Sequence, residues 1–410
     1  MNRSIDASRG DASGPSGADI FLRLLPLTLT VFIGFLTIGL QLPVLPLHVH
    51  HTLGMDELVV GLVIGSQFAA ALLSRAWAGN FADLRGTDRA VRLGLALAAA
   101  SGVVYLVSLI FPTRPSLAVW VLVAGRLVLA VGESLLVTGA MGWGIGLVGP
   151  RNAGKVMAWI GTAIYGAYAV GAPLGVALNA SRGFAGLCAA VVVIPFLGLL
   201  VVTRAPVVPP AASRRTPFYA VLAAVSGPGL GLALCSAGFG AITAFIALLF
   251  VSKQWGDASL AFTAFGVAFI GARVLFSHLP DQIGGAKVAL VCVLLEAVGL
   301  LVIWQADSPS VAYAGAALTA FGYSLAFPGF GVEAVRRAPP QARSLAMGAY
   351  VAFLDVSLGL LSPAAGALAR ACSVDAVYLA AAVTVAASAL VALALLVARP
   401  RDALMPAGGG

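Results

Sequence analysis

Charge is what this 410-residue sequence has least of: Asp, Glu, Lys and Arg together make up 10% of it, against 60% hydrophobic residues. A water-soluble chain is closer to a quarter charged, so this one lacks the polar material to cover a surface facing water. The four cysteines, Cys188, Cys235, Cys292 and Cys372, lie in or beside apolar runs with no metal-type spacing. They suit helix packing, and neither a metal nor a cofactor is expected. The net charge of +8 comes from lysines and arginines scattered among short loops. With no basic face, nucleic acid is excluded as a partner. Gly149-Pro150-Arg151-Asn152-Ala153-Gly154-Lys155 approaches a phosphate-binding loop. Val156 stands where the Mg²⁺-binding Ser or Thr belongs, and no strand precedes it, so nucleotide is not an expected ligand either. Cleavable-signal character is missing too: residues 1–19 are polar and the first apolar run is too long for a signal core.

What the sequence has instead is apolar runs recurring about every 30 residues, each long enough to cross a bilayer as a helix of roughly 20 residues. They are too long and too little alternating for barrel strands. Twelve spans are predicted, at 21–46, 58–78, 91–111, 117–140, 155–178, 184–203, 219–250, 259–279, 287–305, 310–332, 344–368 and 376–398. The seventh is too long for one straight crossing, and a short amphipathic lead-in before Gly227-Pro228-Gly229 is expected. The fold class is therefore all-α, polytopic and membrane-embedded.

With both termini in the cytoplasm, 17 of the 24 Lys and Arg residues fall in cytoplasmic segments and four (Arg114, Arg182, Lys253 and Arg370) outside. Arg75, Arg126 and Arg273 stay within spans. That bias supports both the even count and the orientation. The Pro- and Arg-containing connection after span six marks a boundary. The expected organisation is a tail at 1–20, a six-helix bundle at 21–204, a linker at 205–217, a second bundle at 218–398 and a tail at 399–410.

The two bundles repeat. Arg75, Asp83 and Gly86 recur 198 positions later as Arg273, Asp281 and Gly284. Gly132-Glu133-Ser134-Leu135 matches Gly322-Tyr323-Ser324-Leu325 at an offset of 190, which also carries Pro150 onto Pro340 and Pro173 onto Pro363. The first half thus holds eight extra residues between Gly86 and Gly132, with the Phe111–Ser116 loop as the natural place. Two six-helix halves in parallel repeat describe a large transporter fold with a midplane cavity.

Here the chain resembles the major facilitator superfamily over nearly its whole length. Gly79, Asp83 and Gly86 fit that family's motif between spans two and three, with Leu84, Thr87 and Asp88 departing from it and Arg85 and Arg89 supplying nearby charge. The resemblance implies a gate in which the aspartate caps a helix end and links the halves. Arg75, Arg89, Arg273 and Asp281 are further gating candidates. Capping of span three alone is the simpler role for Asp83. Arg126 resembles the fourth-helix arginine of proton-coupled members, and a mid-span guanidinium needs a partner or a wet cavity. Glu133 lies on the same helix face roughly 10 Å along the axis. Gly171-Ala172-Pro173-Leu174-Gly175 resembles the fifth-helix motif of exporting antiporters, departing at Ala172.

Glu133 and Asp355 are the expected proton-coupling acids, with Arg126 as electrostatic partner. The alternatives are permanent pairing for Glu133, pairing of Asp355 with a base such as Arg273 or Arg126, and a structural hub for Arg126. Glu296 reads as peripheral packing, and His50 and His51 as interfacial loop residues. Tyr165, Tyr168, Tyr323, Phe327 and Tyr350, with Gln41, Gln67, Ser236 and Thr243, are candidates for a mostly apolar cavity wall. The expectation is a monomeric, non-enzymatic, gradient-driven exporter of small organic molecules in a bacterial inner membrane, exchanging protons for substrate. A proton symporter for a sugar or organic acid is the alternative, and a non-transporting receptor or lipid-handling protein the remote one.

Overall fold

A computed structural model describes residues 17–149, 152–206, 218–256, 258–338 and 343–397, and every regular element among them is a helix. α1 (Gly17–Gln41) is followed by α2 (Val44–Leu47) and a π-helical turn, His48–Thr52. Then come α3 (Glu57–Arg85), α4 (Thr87–Ser108), α5 (Pro115–Val148), α6 (Ala153–Val202) and α7 (Phe218–Ser252). The chain continues through α8 (Ser259–Phe276), a short α9 (Leu279–Ile283), α10 (Gly285–Trp304), α11 (Pro309–Arg337), α12 (Arg343–Ala371) and α13 (Val374–Val397).

Eleven of these stretches are long and apolar enough to cross a membrane. The twelve crossings expected are nevertheless present, because the 50-residue α6 holds two: Gly183, at φ 65° and ψ −175°, breaks it. Glycine enters that conformation without the clash a side chain would suffer. An even count puts the start of α1 and the end of α13 on one face of the molecule, called here the terminal face. One expectation fails. No separate lead-in precedes Gly227-Pro228-Gly229: α7 is one helix of 35 residues with Pro228 inside it. At 1.5 Å per residue such a helix is about 50 Å long and overshoots a hydrocarbon layer of about 30 Å.

Within the first half α1 packs on α6, and α5 on both α3 and α4; within the second, α10 packs on α11 and α13, α7 on α12 and α13, and α8 on α11. The repeat is visible atom by atom. A Cβ on Gly132 would meet the Gly94 carbonyl and the Ala98 nitrogen, while one on Gly322 would meet the Cys292 carbonyl and the Glu296 nitrogen. Those partners are 198 residues apart, whereas the glycines are 190 apart. The eight extra residues are spread out rather than gathered in the Phe111–Ser116 loop. From Ala98 to the end of α4 is ten residues, against eight from Glu296 to the end of α10. The following loop is six residues against four. From the start of α5 to Gly132 is 17 residues against 13 from the start of α11 to Gly322, one extra helical turn.

α7 forms the most continuous piece of core: every residue from 241 to 250 is buried. In the first half Trp143, fully buried, donates its indole N–H to the Pro206 carbonyl at 2.7 Å, tying the end of that half to α5. Most of the expected linker and tails (1–16, 207–217 and 398–410) lies outside the described residues.

Candidate functional site at the interface of the halves

The halves meet along two helix pairs, α3 with α12 and α6 with α8. The first pair reads as a zipper. Glycines let two backbones approach closely, and they occur on both strands of the seam. Gly61 faces Ser362 and Pro363, Gly65 faces Pro363 and Gly359, Ala69 faces Gly359, and Gly366 faces Glu57 and Leu58. At the far end Arg370 reaches Asp56 at 3.0 Å. Toward the terminal face the zipper ends in an ion pair: Arg75 donates from Nε to Asp355 Oδ2 at 2.6 Å and from Nη2 to Oδ1 at 2.9 Å. This two-pronged geometry is the strong form of the contact. Beyond it the helices separate. Gly79 meets only Thr138 of its own half, at 3.9 Å, and Gly348 has nothing within 4 Å. Along α3 and α12 the halves are thus closed at the end away from the termini and parted toward the terminal face.

Asp355 therefore pairs with neither Arg126 nor Arg273. Arg75 and Asp355 are 280 residues apart, and nothing in the sequence signals their contact. Arg273 donates to the Ser324 carbonyl at 3.3 Å, stands over the Phe269 ring at 4.9 Å and presses on Gly161 of α6.

Glu133 accepts a 2.6 Å hydrogen bond from Gln67 Nε2, so an expected cavity residue on α3 holds an expected proton-coupling residue on α5. Beside them Ser74 donates to Ser134, which donates on to the Ala71 carbonyl. Arg126 is buried on α5 against Tyr105, and its Nε has no hydrogen-bond partner among the described residues. Glu296 is fully buried among Gly238, Thr319 and Gly322. Glu333 is held by Arg337 and Arg336, at 2.5 and 3.5 Å.

Three of the five aromatic candidates come together. Tyr165 stacks on Phe269 at 3.6 Å, contacts Tyr168 and lies 6.4 Å from Tyr323; Phe239 stacks on Tyr323 and Tyr168. The cluster draws on α6, α7, α8 and α11, both sides of the interface. Phe239, Phe265 and Phe269 belong to it as well, though nothing in the sequence marks them: phenylalanine in an apolar span reads the same toward lipid as toward a partner helix. Phe327 and Tyr350 form a separate pair between α11 and α12, joined by Tyr350 Oη donating to the Phe327 carbonyl. Gln41, Ser236 and Thr243 are buried, and their side chains donate to carbonyls of their own helices.

The motif at 171–175 builds a close crossing. A Cβ on Gly171 would lie 2.8 Å from Gly39 Cα, and one on Gly175 would strike the Leu40 carbonyl, so α1 rests directly on the α6 backbone. At 79–86, α3 is helical through Arg85, and Gly86 (φ 103°) starts α4 with no side-chain cap. Asp83 thus does not cap span three. It is exposed at the terminal face, with no hydrogen bond or ion pair among the described residues. Arg89, in the first turn of α4, is exposed as well. Asp281 falls in α9, and its side chain lies outside the described residues.

Two six-helix halves, an ion pair and an aromatic cluster at their seam, and a closed and a parted face define a secondary membrane transporter. The Major Facilitator Superfamily model matches residues 27–252 and 228–409. An uncharacterized MFS-type transporter of Burkholderia mallei (strain SAVP1) is 44% identical over 384 residues, 94% of each chain. One of Salmonella typhimurium is 43% identical over 347 residues, 85% of this chain and 89% of the other. The chain belongs to the Major Facilitator Superfamily. Among solved structures, the inward-open xylose transporter XylE of E. coli superposes with a TM-score of 0.74 at 15% identity, covering 92% of this chain and 96% of the other. The human organic anion transporter MFSD10 does so at 0.67 and 16%, covering 90% and 98%.

Proposed function

We propose that the chain is a proton-coupled exporter of small organic molecules in a bacterial inner membrane. It works as a monomer with the terminal face in the cytoplasm, rocking 21–204 against 218–398. The observation that carries the coupling is the Arg75–Asp355 pair at the inner end of the α3–α12 zipper. That pair holds only while Asp355 is charged, so a proton on Asp355 and contact with Arg75 exclude one another. Closing the outer face brings Arg75 to Asp355 and displaces the proton toward the parted, cytoplasmic side. Glu133 is the second proton carrier. Its partner Gln67 sits on the same helix as Arg75, and Arg126 supplies positive charge seven residues away on α5. The aromatic cluster gives substrate its apolar contact surface, and Asp83, exposed where the halves part, is the latch that engages when the cytoplasmic face closes. The direction of transport rests on the resemblance of 171–175 to the exporters' motif.

The test is flux in proteoliposomes under an imposed ΔpH, with substrates chosen by a thermal-shift screen of sugars, organic acids and drug-like cations. Substrate movement should dissipate the ΔpH, and Glu133→Gln and Asp355→Asn should each abolish the coupled flux. Unaltered ΔpH-driven transport in both variants removes the coupling assignment. Accumulation rather than exclusion of substrate by energised cells makes the protein a symporter.

A further inference from the structure

A cavity of 470 Å³ opens on the face away from the termini. It lies within the first half alone, between the π-helical turn His48–Thr52 and the α6 break at Gly183, with Leu109 just past α4 on a third side. Backbone irregularity on two walls explains why there is space: a π turn and a broken helix cannot pack as regular cylinders, and π turns recur at functional sites. His48 is buried and stacks flat on Phe184, ring centroids 3.8 Å apart, which fixes one wall.

The lining is mixed. Leu47, Leu109 and Phe184 are apolar; Arg182, His51 and Asn179 carry nitrogen donors, and none of the lining residues is Asp or Glu. Arg182 makes no ion pair or hydrogen bond with any described residue. The neighbouring carboxylate, Glu57, is not part of the lining and lies 3.9 Å from His50. The cavity therefore offers an uncommitted guanidinium beside greasy walls, at the level where crossings end and the headgroup layer begins. A guanidinium matches the geometry of a phosphate and can bind it in the two-pronged, charge-assisted form.

We propose that this cavity holds an anionic phospholipid by its headgroup phosphate, with Arg182 as the principal contact, His51 and Asn179 as further donors, and the acyl chains leaving along the apolar residues. It touches no residue of the second half, so the lipid is resident rather than cargo passing between the halves.

Native mass spectrometry of the detergent-purified full chain tests this, with phosphatidylglycerol, phosphatidylcholine or soluble glycerol phosphate added at equal concentration. Wild type should retain phosphatidylglycerol about tenfold more than phosphatidylcholine. That preference should be lost in Arg182→Ala, retained in Arg182→Lys, and unchanged in the control Arg114→Ala, an exposed arginine on the same face outside the cavity. Equal retention of the two lipids, or an unaltered preference in a folded Arg182→Ala, overturns the proposal. Displacement of phosphatidylglycerol by glycerol phosphate at equal concentration overturns the lipid assignment and makes a free organophosphate the ligand.

Discussion

Arg75 and Arg273 occupy the same place in the repeat and do different things. Each stands eight residues before an aspartate and eleven before a glycine of nearly identical conformation, φ 103° and ψ 142° at Gly86 against φ 100° and ψ 137° at Gly284. Yet α3 runs unbroken through its junction, whereas α8 stops at Phe276 and restarts as α9. Arg75 crosses to the other half and finds a carboxylate; Arg273 finds a backbone carbonyl of its own half and a ring. Duplication has kept the backbone geometry of the junctions, but only the first pairs its arginine with a carboxylate across the seam; Arg273 meets the other half at Gly161.

The largest effect should come from breaking that charge link. Removing one partner of a buried pair strands the other, so Asp355→Ala should destabilise the protein by about 3–5 kcal/mol. Arg273→Ala, which forfeits one hydrogen bond to a carbonyl, should cost about 1 kcal/mol. Melting of the two purified variants side by side measures the difference, and equal losses would erase the contrast between the arginines. The next effect concerns the aspartates. At equal expression Asp83→Asn should lower transport about fivefold, as befits the loss of a charge-assisted contact, while Asp281→Asn should leave it near wild type; the reverse order would refute the first junction as the latch. The smallest contrast lies in the glycines. Gly86→Ala and Gly284→Ala each force a side chain into a region that glycine alone tolerates, at about 1–3 kcal/mol apiece. The two melting shifts should agree closely, Gly86→Ala being slightly worse because its Cβ also meets Asp88 Oδ1 at 2.8 Å. Widely different shifts would mean that the two turns are not true equivalents.

Spans, repeat and family were legible because they depend on local quantities: run length, hydropathy and the interval between like residues. Even the one crossing hidden by helix continuity was legible, since Arg182-Gly183 reads as a loop whether or not the flanking helices remain collinear. What stayed illegible depends on helix rotation and on contacts far apart in sequence. Gln67 and Glu133 were each visible as polar residues in apolar spans, but their contact requires knowing which faces of α3 and α5 meet. The role of Gly171 and Gly175 in carrying α1 was hidden for the same reason, because a small residue looks alike whatever it touches. The cavity beside Arg182 depends on a π turn, which side-chain periodicity does not signal.

The bond from the Trp143 indole to the Pro206 carbonyl has a mechanical consequence. It fixes the chain at Pro206 against α5, and the next described residue is Phe218, where α7 starts. Eleven residues span that interval. Drawn straight at about 3.3–3.6 Å per residue they reach about 40 Å, and the prolines among them shorten the practical reach. The terminal-face ends of α5 and α7 can therefore swing apart only within that leash, which would cap the stroke of the proposed rocking without any contact between the bundles themselves.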